Sequence, residues 1–329
     1  NERRGITVTS AMVDAVAATT AGIRNLGNVE GGNTDTLRFV HHHLTWVATL
    51  LRQSRFSSGA VANRLLAEWA QLAQLAAWMA MDSGQHGLSQ RYFISGLHAA
   101  HTARDRSVGT YLMSDMGSWR VINGWLGDGV DPGRAARDAA ELANAAHEVA
   151  RSAPAALRAK AAGGLAKAQA AVGNARGFHA AADEARALLD SPGALDTRPP
   201  YLSWFDSGAL EKGLAESALL LAGVSSRNGH ALLDDATEEF RRTAADPARN
   251  PRSVTFGAAW LARAHVAAGD LDRAVPAAQI ALRRLPTVRS RRCTLILRRL
   301  QDDLTALPPA RRPAAVRSLH DQLHATRIR

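Results

Sequence analysis

The chain of 329 residues carries 40 lysines and arginines against 30 aspartates and glutamates, with 46% hydrophobic residues and one cysteine. This composition excludes wholesale disorder, an intramolecular disulfide and a cysteine-based zinc finger. No run of about 18 uncharged apolar residues predicts a membrane span. A single cysteine and the lack of an apolar leader predict a cytoplasmic setting.

The positive charge is concentrated at the C-terminal end. Residues 280–329 contain twelve arginines and three aspartates, whereas the rest of the chain is almost neutral. Only three lysines occur in the whole sequence, namely Lys160, Lys167 and Lys212. The charge pattern therefore indicates a near-neutral body with a basic end, rather than a uniformly basic protein.

Helical patterns follow one another from the first residues onward. Residues 10–26 predict a helix that ends at Gly27, residues 34–52 predict a second helix, and residues 61–81 predict a long apolar third one. No stretch alternates apolar and polar residues between turns, so we expect no strands. Helices this rich in alanine need neighbours to bury their faces, which is the situation in a solenoid.

A repeat is clearest from Thr255 onward. Counted from that residue, small side chains occupy positions 8, 15, 20 and 27, and Pro286 occupies position 32. This is the tetratricopeptide (TPR) pattern of two antiparallel helices in about 34 residues. The small residues let the helices approach, a glycine ends the first helix, and the proline cannot continue the second.

Other units of the repeat are looser, with expanded loops between them. The glycines predicted to turn the chain between paired helices are Gly84, Gly124, Gly173, Gly223 and Gly269. The sequence therefore predicts an all-α fold, a TPR-like right-handed superhelical solenoid of antiparallel helix pairs. Its predicted divisions are a helical linker or first helix pair in residues 1–60, repeats in 61–288, and basic capping helices in 289–329.

Several segments carry a family resemblance. They are residues 73–100 (AQLAAWMAMDSGQHGLSQRYFISGLHAA), 111–117, 201–214 (YLSWFDSGALEKGL) and 255–286, with 289–304 as a closing helix. In these segments the chain resembles the C-terminal TPR region of actinobacterial transcriptional regulators that begin with a helix-turn-helix domain. The resemblance implies a ligand-sensing module that forms a homodimer. It also implies that DNA is bound only through a helix-turn-helix that would precede residue 1, because none is present here.

The sequence lacks convincing enzyme and metal signatures. His41, His42 and His43 are adjacent on a predicted helix, where successive side chains point about 100° apart, so they cannot bind one ion. Cys293 lacks a partner histidine in the sequence pattern and is expected to be packed in a helix. No nucleophile elbow, phosphate loop or dinucleotide fingerprint occurs. We expect no catalysis, no cofactor and no metal.

The first helix of each TPR unit contributes side chains to a concave groove. The residues predicted to face this groove are Gln71, Gln74, Trp78, Met81, Tyr111, Ser114, Ser118, Lys160, Lys167 and Arg263. Their mixture of aromatic rings, amides, hydroxyls and cations suits a small molecule or a peptide. Trp78 and Met81 fit a core position equally well, and Tyr201, Trp204 and Phe205 fit a staple at a helix start better than a groove anchor.

Two function classes remain open at this point. One is the ligand-sensing and dimerisation module of a transcriptional regulator, with a small molecule or peptide in the groove. The alternative is a constitutive TPR scaffold that binds another protein and has no regulatory ligand. Neither class implies contact with a membrane.

The basic end predicts an arginine-rich outer surface over an apolar stripe that caps the last repeat. Arg289, Arg291 and Arg292 are its candidate interaction residues. The surface could be a solvated cap, a contact with an acidic face of a second subunit, or a contact with DNA phosphates. No aromatic residue occurs in 289–329, which argues against stacking on single-stranded nucleic acid.

Overall fold

The structure is a computed structural model that describes residues 6–127, 131–224, 229–245, 251–288 and 290–326. Its α-helices are α1 (Ser10–Glu30), α2 (Thr34–Gln53), α3 (Gly59–Asp82), α4 (His86–Thr102), α5 (Arg106–Leu126), α6 (Pro132–Val149), α7 (Ala155–Ala171), α8 (Ala175–Leu189), α9 (Ser207–Val224), α10 (Gly229–Ala245), α11 (Pro251–Ala268), α12 (Leu271–Arg284), α13 (Arg291–Ala306) and α14 (Ala314–Ala325). The predicted all-α, solenoid-like fold is confirmed. A right-handed superhelical twist and the three predicted divisions stay predictions.

One small departure from the all-helical expectation occurs near the N-terminus. The segment β1 (Thr7–Val8) pairs in parallel with β2 (Arg55–Phe56), just before α1 and α3 begin. The pairing fixes the start of α1 beside α3, with the Val8 side chain fully buried. Two residues are too few to show the alternation by which a sequence predicts a strand.

The helices pack in two layers. Helices α3, α5, α7 and α9 pack side by side as inner helices, and each is paired with the following helix outside it; α11 and α12 form a further pair. The outer helix α6 buries one alanine stripe that includes Ala135, Ala139 and Ala143, whereas the buried residues of α7 cover all its faces. Alanine-rich sequence is therefore used for close packing on one side in α6 and on every side in α7.

Glycines shape this packing in two ways. Gly84, Gly173 and Gly269 have positive φ angles of 82°, 75° and 80°, as expected for residues that end a first helix. The turn predicted at Gly124 is misplaced, because Gly124 lies inside α5 and the residue with a positive φ angle after this helix is Gly127. Gly223 is the penultimate residue of α9, and residues 225–228, where the chain would turn, lie outside the described residues. The physical reason at Gly124 is packing rather than chain reversal.

Two glycines inside helices permit close approach. A Cβ atom on Gly124 would lie 2.6 Å from the Cβ of Ala135 on α6, and one on Gly27 would lie 2.5 Å from the indole ring of Trp78. Since such distances are not tolerated, only glycine fits either position. The predicted end of the first helix at Gly27 is therefore wrong, and α1 continues to Glu30.

The last helices return to the beginning of the chain. Helix α13 packs on α11 through an apolar stripe, and α14 covers α12 and α13. The Ser290 hydroxyl donates to Asp82 Oδ1 at 2.8 Å, and Arg299 Nε donates to the Leu126 carbonyl at 3.0 Å. These contacts tie α13 to the C-terminal ends of α3 and α5. Among the residues described, no helix is long and apolar enough to cross a membrane.

Candidate ligand cavity

A central cavity lies between the inner helices and the returning C-terminal segment. It has two adjoining lobes that share Asp115, Trp119, Trp204 and Arg292 as lining residues. The arginine lobe, of about 290 Å³, is also lined by Arg24, Arg252, Trp78 and Tyr111. The lysine lobe, of about 170 Å³, is also lined by Lys160, Lys167, Ser118 and Glu216.

Lys160 and Asp115 form the first buried ion pair of the lysine lobe. Lys160 Nζ lies 2.8 Å from Asp115 Oδ1, and the other oxygen of this carboxylate accepts a 2.7 Å hydrogen bond from Gln74 Nε2. Lys160 also contacts the Ser114 hydroxyl at 3.3 Å. The pair links α5 to α7, and the amide of Gln74 extends the network to α3. Such a satisfied network holds its members in one arrangement.

Glu216 of α9 is the centre of the second pair. Its Oε2 atom lies 2.9 Å from Lys167 Nζ and 3.2 Å from Arg292 Nη2. Burial alone would raise the pKa of Glu216, but the two cations outweigh burial and lower the pKa below its usual range. Burial also lowers the pKa of Lys167 against the opposing influence of Glu216. This carboxylate therefore stays ionised and holds α13 against the inner helices.

Three guanidinium groups with incomplete hydrogen bonding surround the arginine lobe. Arg24 Nη1 donates to Gln74 Oε1 at 3.2 Å, and Arg252 Nη2 lies 3.3 Å from Asp82 Oδ1. The remaining donors are not satisfied: Arg24 Nη2, Arg252 Nε and Nη2, and Arg292 Nε are buried with no hydrogen-bond partner. Buried donors are normally satisfied, so their concentration at one lobe is unusual.

Aromatic rings hold two of these arginines in place. The Arg252 guanidinium lies 5.2 Å from the ring centre of Trp78, and that of Arg292 lies 4.7 Å from Trp119 and 4.2 Å from Phe256. Stacking on a ring favours the planar cation without using its N–H groups. Stacking therefore positions both guanidinium groups at the lobe and leaves their N–H groups for contacts in the guanidinium plane.

The segment before α9 completes the aromatic wall. The Tyr201 ring stacks on Tyr111 with ring centres 5.1 Å apart, and burial raises the pKa of both phenols. Trp204 lines both lobes and Phe205 lines the lysine lobe. Trp204 and Phe205 therefore contribute to the cavity wall, and their role as a staple at the start of α9 stays a prediction.

Six of the ten predicted groove residues come together around the cavity. They are Gln74, Trp78, Tyr111, Ser118, Lys160 and Lys167. The other four do not line it. Gln71 donates to Glu68, Met81 contacts Asn123, Ser114 lies beneath Lys160, and Arg263 pairs with Asp303.

The arginines of the basic end take different positions from those expected. Arg289 lies outside the described residues. The Arg291 side chain passes over Gly84 at the end of α3. An outward position is wrong for Arg292, whose side chain is only 14% exposed and points to Glu216. Ser290 caps α13 while bound to Asp82, which turns the first turn of this helix inward.

Sequence reasoning missed several lining residues, including Arg24, Lys212, Glu216 and Arg252. Arg24 lies on α1, to which the repeat frame assigns no groove position, and Arg252 precedes the repeat unit that begins at Thr255. One signal was available for Lys212. All three lysines of the chain line the cavity, although arginine supplies the other basic residues. The three lysines of the chain therefore all lie at one site.

Comparisons with known proteins identify no family for this chain. No protein-family model matches the chain, and no curated protein matches it. Among solved structures, the chain is similar to BtubC (BKLC) from P. vanneervenii, with 14% identity, 90% of this chain and 92% of that chain covered, and a TM-score of 0.40. Similarity at this level transfers no site residue and no activity.

Proposed function

We propose that this chain is the ligand-sensing module of a transcriptional regulator and that it binds a small molecule in the central cavity. The observation that carries the proposal is the cavity itself, in which aromatic rings and oriented charges converge between packed helices. The resemblance supports the same reading, because its segments 73–100 and 201–214 contribute Trp78 and Trp204 to the cavity wall.

The sensing mechanism depends on the positions in the chain of the residues that line the cavity. Arg24 belongs to α1 and Arg292 to α13, near opposite ends of the chain, and both line the arginine lobe. A ligand that contacts both ends binds the closed arrangement better than an open one. It therefore shifts the population toward the closed form, and a helix-turn-helix joined to α1 would respond to that shift.

A small molecule is favoured over a protein tail. Helix α13 already crosses the ends of α3 and α5, where an incoming peptide would lie in an open groove. The larger lobe measures about 290 Å³, which is at the lower limit for small-molecule sites. The alternative of a constitutive scaffold needs α13 to leave this position.

Native mass spectrometry of the purified chain tests the binding proposal. We expect a mass above that of the polypeptide, owing to a retained small molecule. Substitution of Trp78 by alanine removes a wall of the arginine lobe and is expected to abolish this excess mass. Trp46→Ala is the matched control, because Trp46 lies on α2, is 45% exposed and does not line the cavity. An excess mass unaffected by Trp78→Ala contradicts the proposed site.

The regulatory half of the proposal has its own test. A helix-turn-helix encoded immediately upstream of Asn1 supports it, whereas a different domain or a stop codon there contradicts it. Self-association stays a prediction from the resemblance. Light scattering on the purified chain measures it directly, with a mass of twice 35.1 kDa expected for a homodimer.

A further inference from the structure

The central cavity contains more positive than negative charge. Its basic lining residues are Arg24, Lys160, Lys167, Lys212, Arg252 and Arg292. Among the described residues, the carboxylates that line it are Asp115 and Glu216. Asp82 adds a third carboxylate beside Arg252 but is itself fully buried behind the wall. Buried charge of one sign is unfavourable unless something compensates it.

The three carboxylates are already occupied. Asp115 accepts from Lys160 and Gln74, and Glu216 contacts Lys167 and Arg292. Asp82 accepts from the Gly32 backbone N–H and the Ser290 hydroxyl in addition to facing Arg252. Asp82 Oδ1 lies 3.3 Å from Arg252 Nη2 without satisfying it as a hydrogen-bond acceptor, and Arg24 Nη2, Arg252 Nε and Arg292 Nε also lack a hydrogen-bond partner.

Arg24 is the clearest case of a missing partner. The residue is 5% exposed, lines the arginine lobe and has its Nη2 atom buried without a hydrogen bond. Its Nη1 atom donates to the neutral amide of Gln74, and its charge interacts with the Glu68 carboxylate without a direct ion pair between the two among the described contacts. Arg252 and Arg292 add three more unsatisfied nitrogens at the same lobe. The planar N–H edge of a guanidinium group matches the oxygens of a carboxylate or a phosphate.

We propose that the arginine lobe binds a small organic anion, a carboxylate or phosphate carried on a planar body. The acidic group lies among Arg24, Arg252 and Arg292, and the planar body lies against Trp78 and Trp204. This inference rests on the proposed ligand-sensing function and specifies its ligand class. Arg252 stacks on Trp78 and Arg292 stacks on Trp119, which supports both the acidic group and the planar body of the ligand. The ring positions the cation, and the N–H edge of the cation can then bind an oxyanion.

Titration calorimetry with probes that differ in charge tests the ligand class. Benzoate and phenyl phosphate carry the proposed group on a ring, benzyl alcohol is neutral, benzylamine is cationic, and inorganic phosphate lacks the ring. We expect both aromatic anions to bind at least about tenfold more tightly than the other three probes, since a hydrogen bond to a charged group accounts for roughly that factor. The stronger of the two anions identifies carboxylate or phosphate as the group recognised.

A conservative variant locates the binding. Arg24→Gln keeps a hydrogen-bonding side chain beside Gln74 but removes the cation, and we expect it to weaken the aromatic anion by about tenfold. The matched control is Arg64→Gln, which removes an exposed arginine paired with Asp14 and is expected to leave binding unchanged. Circular dichroism checks that both variants are folded, and the probe series on the unsubstituted chain does not depend on either of them.

Every outcome decides between the two proposals. Equal or tighter binding of benzyl alcohol or benzylamine that Trp78→Ala weakens overturns the anion assignment and leaves the sensing function standing. If inorganic phosphate binds as tightly as phenyl phosphate, the proposed planar body of the ligand is overturned. An unchanged affinity in Arg24→Gln overturns the placement of the acidic group. If no probe binds but a neutral or cationic molecule co-purifies with the chain, the anion assignment alone is overturned. If no probe binds and no molecule co-purifies, both proposals are overturned.

Discussion

The lysine lobe and the arginine lobe adjoin in one cavity, yet their charged side chains differ in how completely they are paired. In the lysine lobe, Lys160 and Lys167 each face a carboxylate at less than 3 Å. In the arginine lobe, Arg24 and Arg252 retain buried nitrogens without partners. A satisfied pair contributes to the stability of the fold, whereas an unsatisfied donor costs free energy until a ligand supplies an acceptor. The contrast separates residues that hold the cavity together from residues that we propose bind a ligand.

The largest expected effect comes from removing the shared carboxylate. Glu216→Gln leaves the buried Lys167 and Arg292 without a counter-charge, and we expect the free energy of unfolding to fall by about 3–5 kcal/mol. Urea titration followed by circular dichroism measures it. Glu211→Gln on the same helix is the matched control, since its pair with Arg186 is partly exposed and accounts for less than about 1 kcal/mol. If the free energy of unfolding falls equally in the two variants, the buried Glu216 carboxylate does not have the special supporting role assigned to the lysine lobe.

A second variant tests whether the lysine lobe is stabilised as a pair. Asp115→Asn is expected to cost about 3 kcal/mol, because Lys160 keeps its buried charge without a partner. Adding Lys160→Met removes the stranded charge and is expected to restore most of that loss. The same urea titration compares the single and double variants. A double variant that is less stable than the single one shows that the two residues act independently.

The arginine lobe is expected to respond in the opposite way. Arg24→Met removes one hydrogen bond to Gln74 but also removes an unsatisfied buried donor, so the two effects oppose each other. Without ligand, we expect the free energy of unfolding to change by less than about 1 kcal/mol in either direction. Thermal and urea unfolding of the ligand-free chain provide the measurement. A loss as large as that of Glu216→Gln would show that Arg24 belongs to the supporting wall.

The smallest expected effect is a pH dependence outside both lobes. Burial lowers the pKa of His265 on α11, although Asp270 acts in the opposite direction. A histidine whose pKa is lower folded than unfolded contributes stability above the unfolded value of about 6.5, and this contribution is lost as the pH falls toward the folded value. Unfolding at pH 7.0 and 5.5 should show a decline that His265→Gln lacks. An identical decline in the variant assigns the pH dependence to other groups.

Helix identity and repeat spacing were predictable because they depend on local sequence. The unit beginning at Thr255 places Gly269 at positive φ where the first helix ends, as the repeat pattern requires. Gly124 misled the same reasoning, because a glycine inside a helix can serve close packing on a neighbour instead of a turn. Local sequence does not distinguish those two uses.

The candidate cavity was only half predictable for a related reason. Gln74, Trp78 and Lys160 occupy regular positions on inner helices, so the repeat frame finds them. Arg24 and Arg292 reach the cavity through contacts between distant parts of the chain, which no periodicity encodes. Their role depends on how α1 and α13 pack against the inner helices, and contacts of side chains such as Asp82 determine that packing.

The bond between Ser290 and Asp82 joins positions 208 residues apart. Paired helices form from neighbouring segments, whereas a contact of this separation must wait for the chain between its ends to be made and ordered. During synthesis, α1 and the inner helices emerge long before α13. A growing chain therefore lacks one wall of the candidate cavity until Arg292 has left the ribosome, so the cavity is complete only after that point of synthesis.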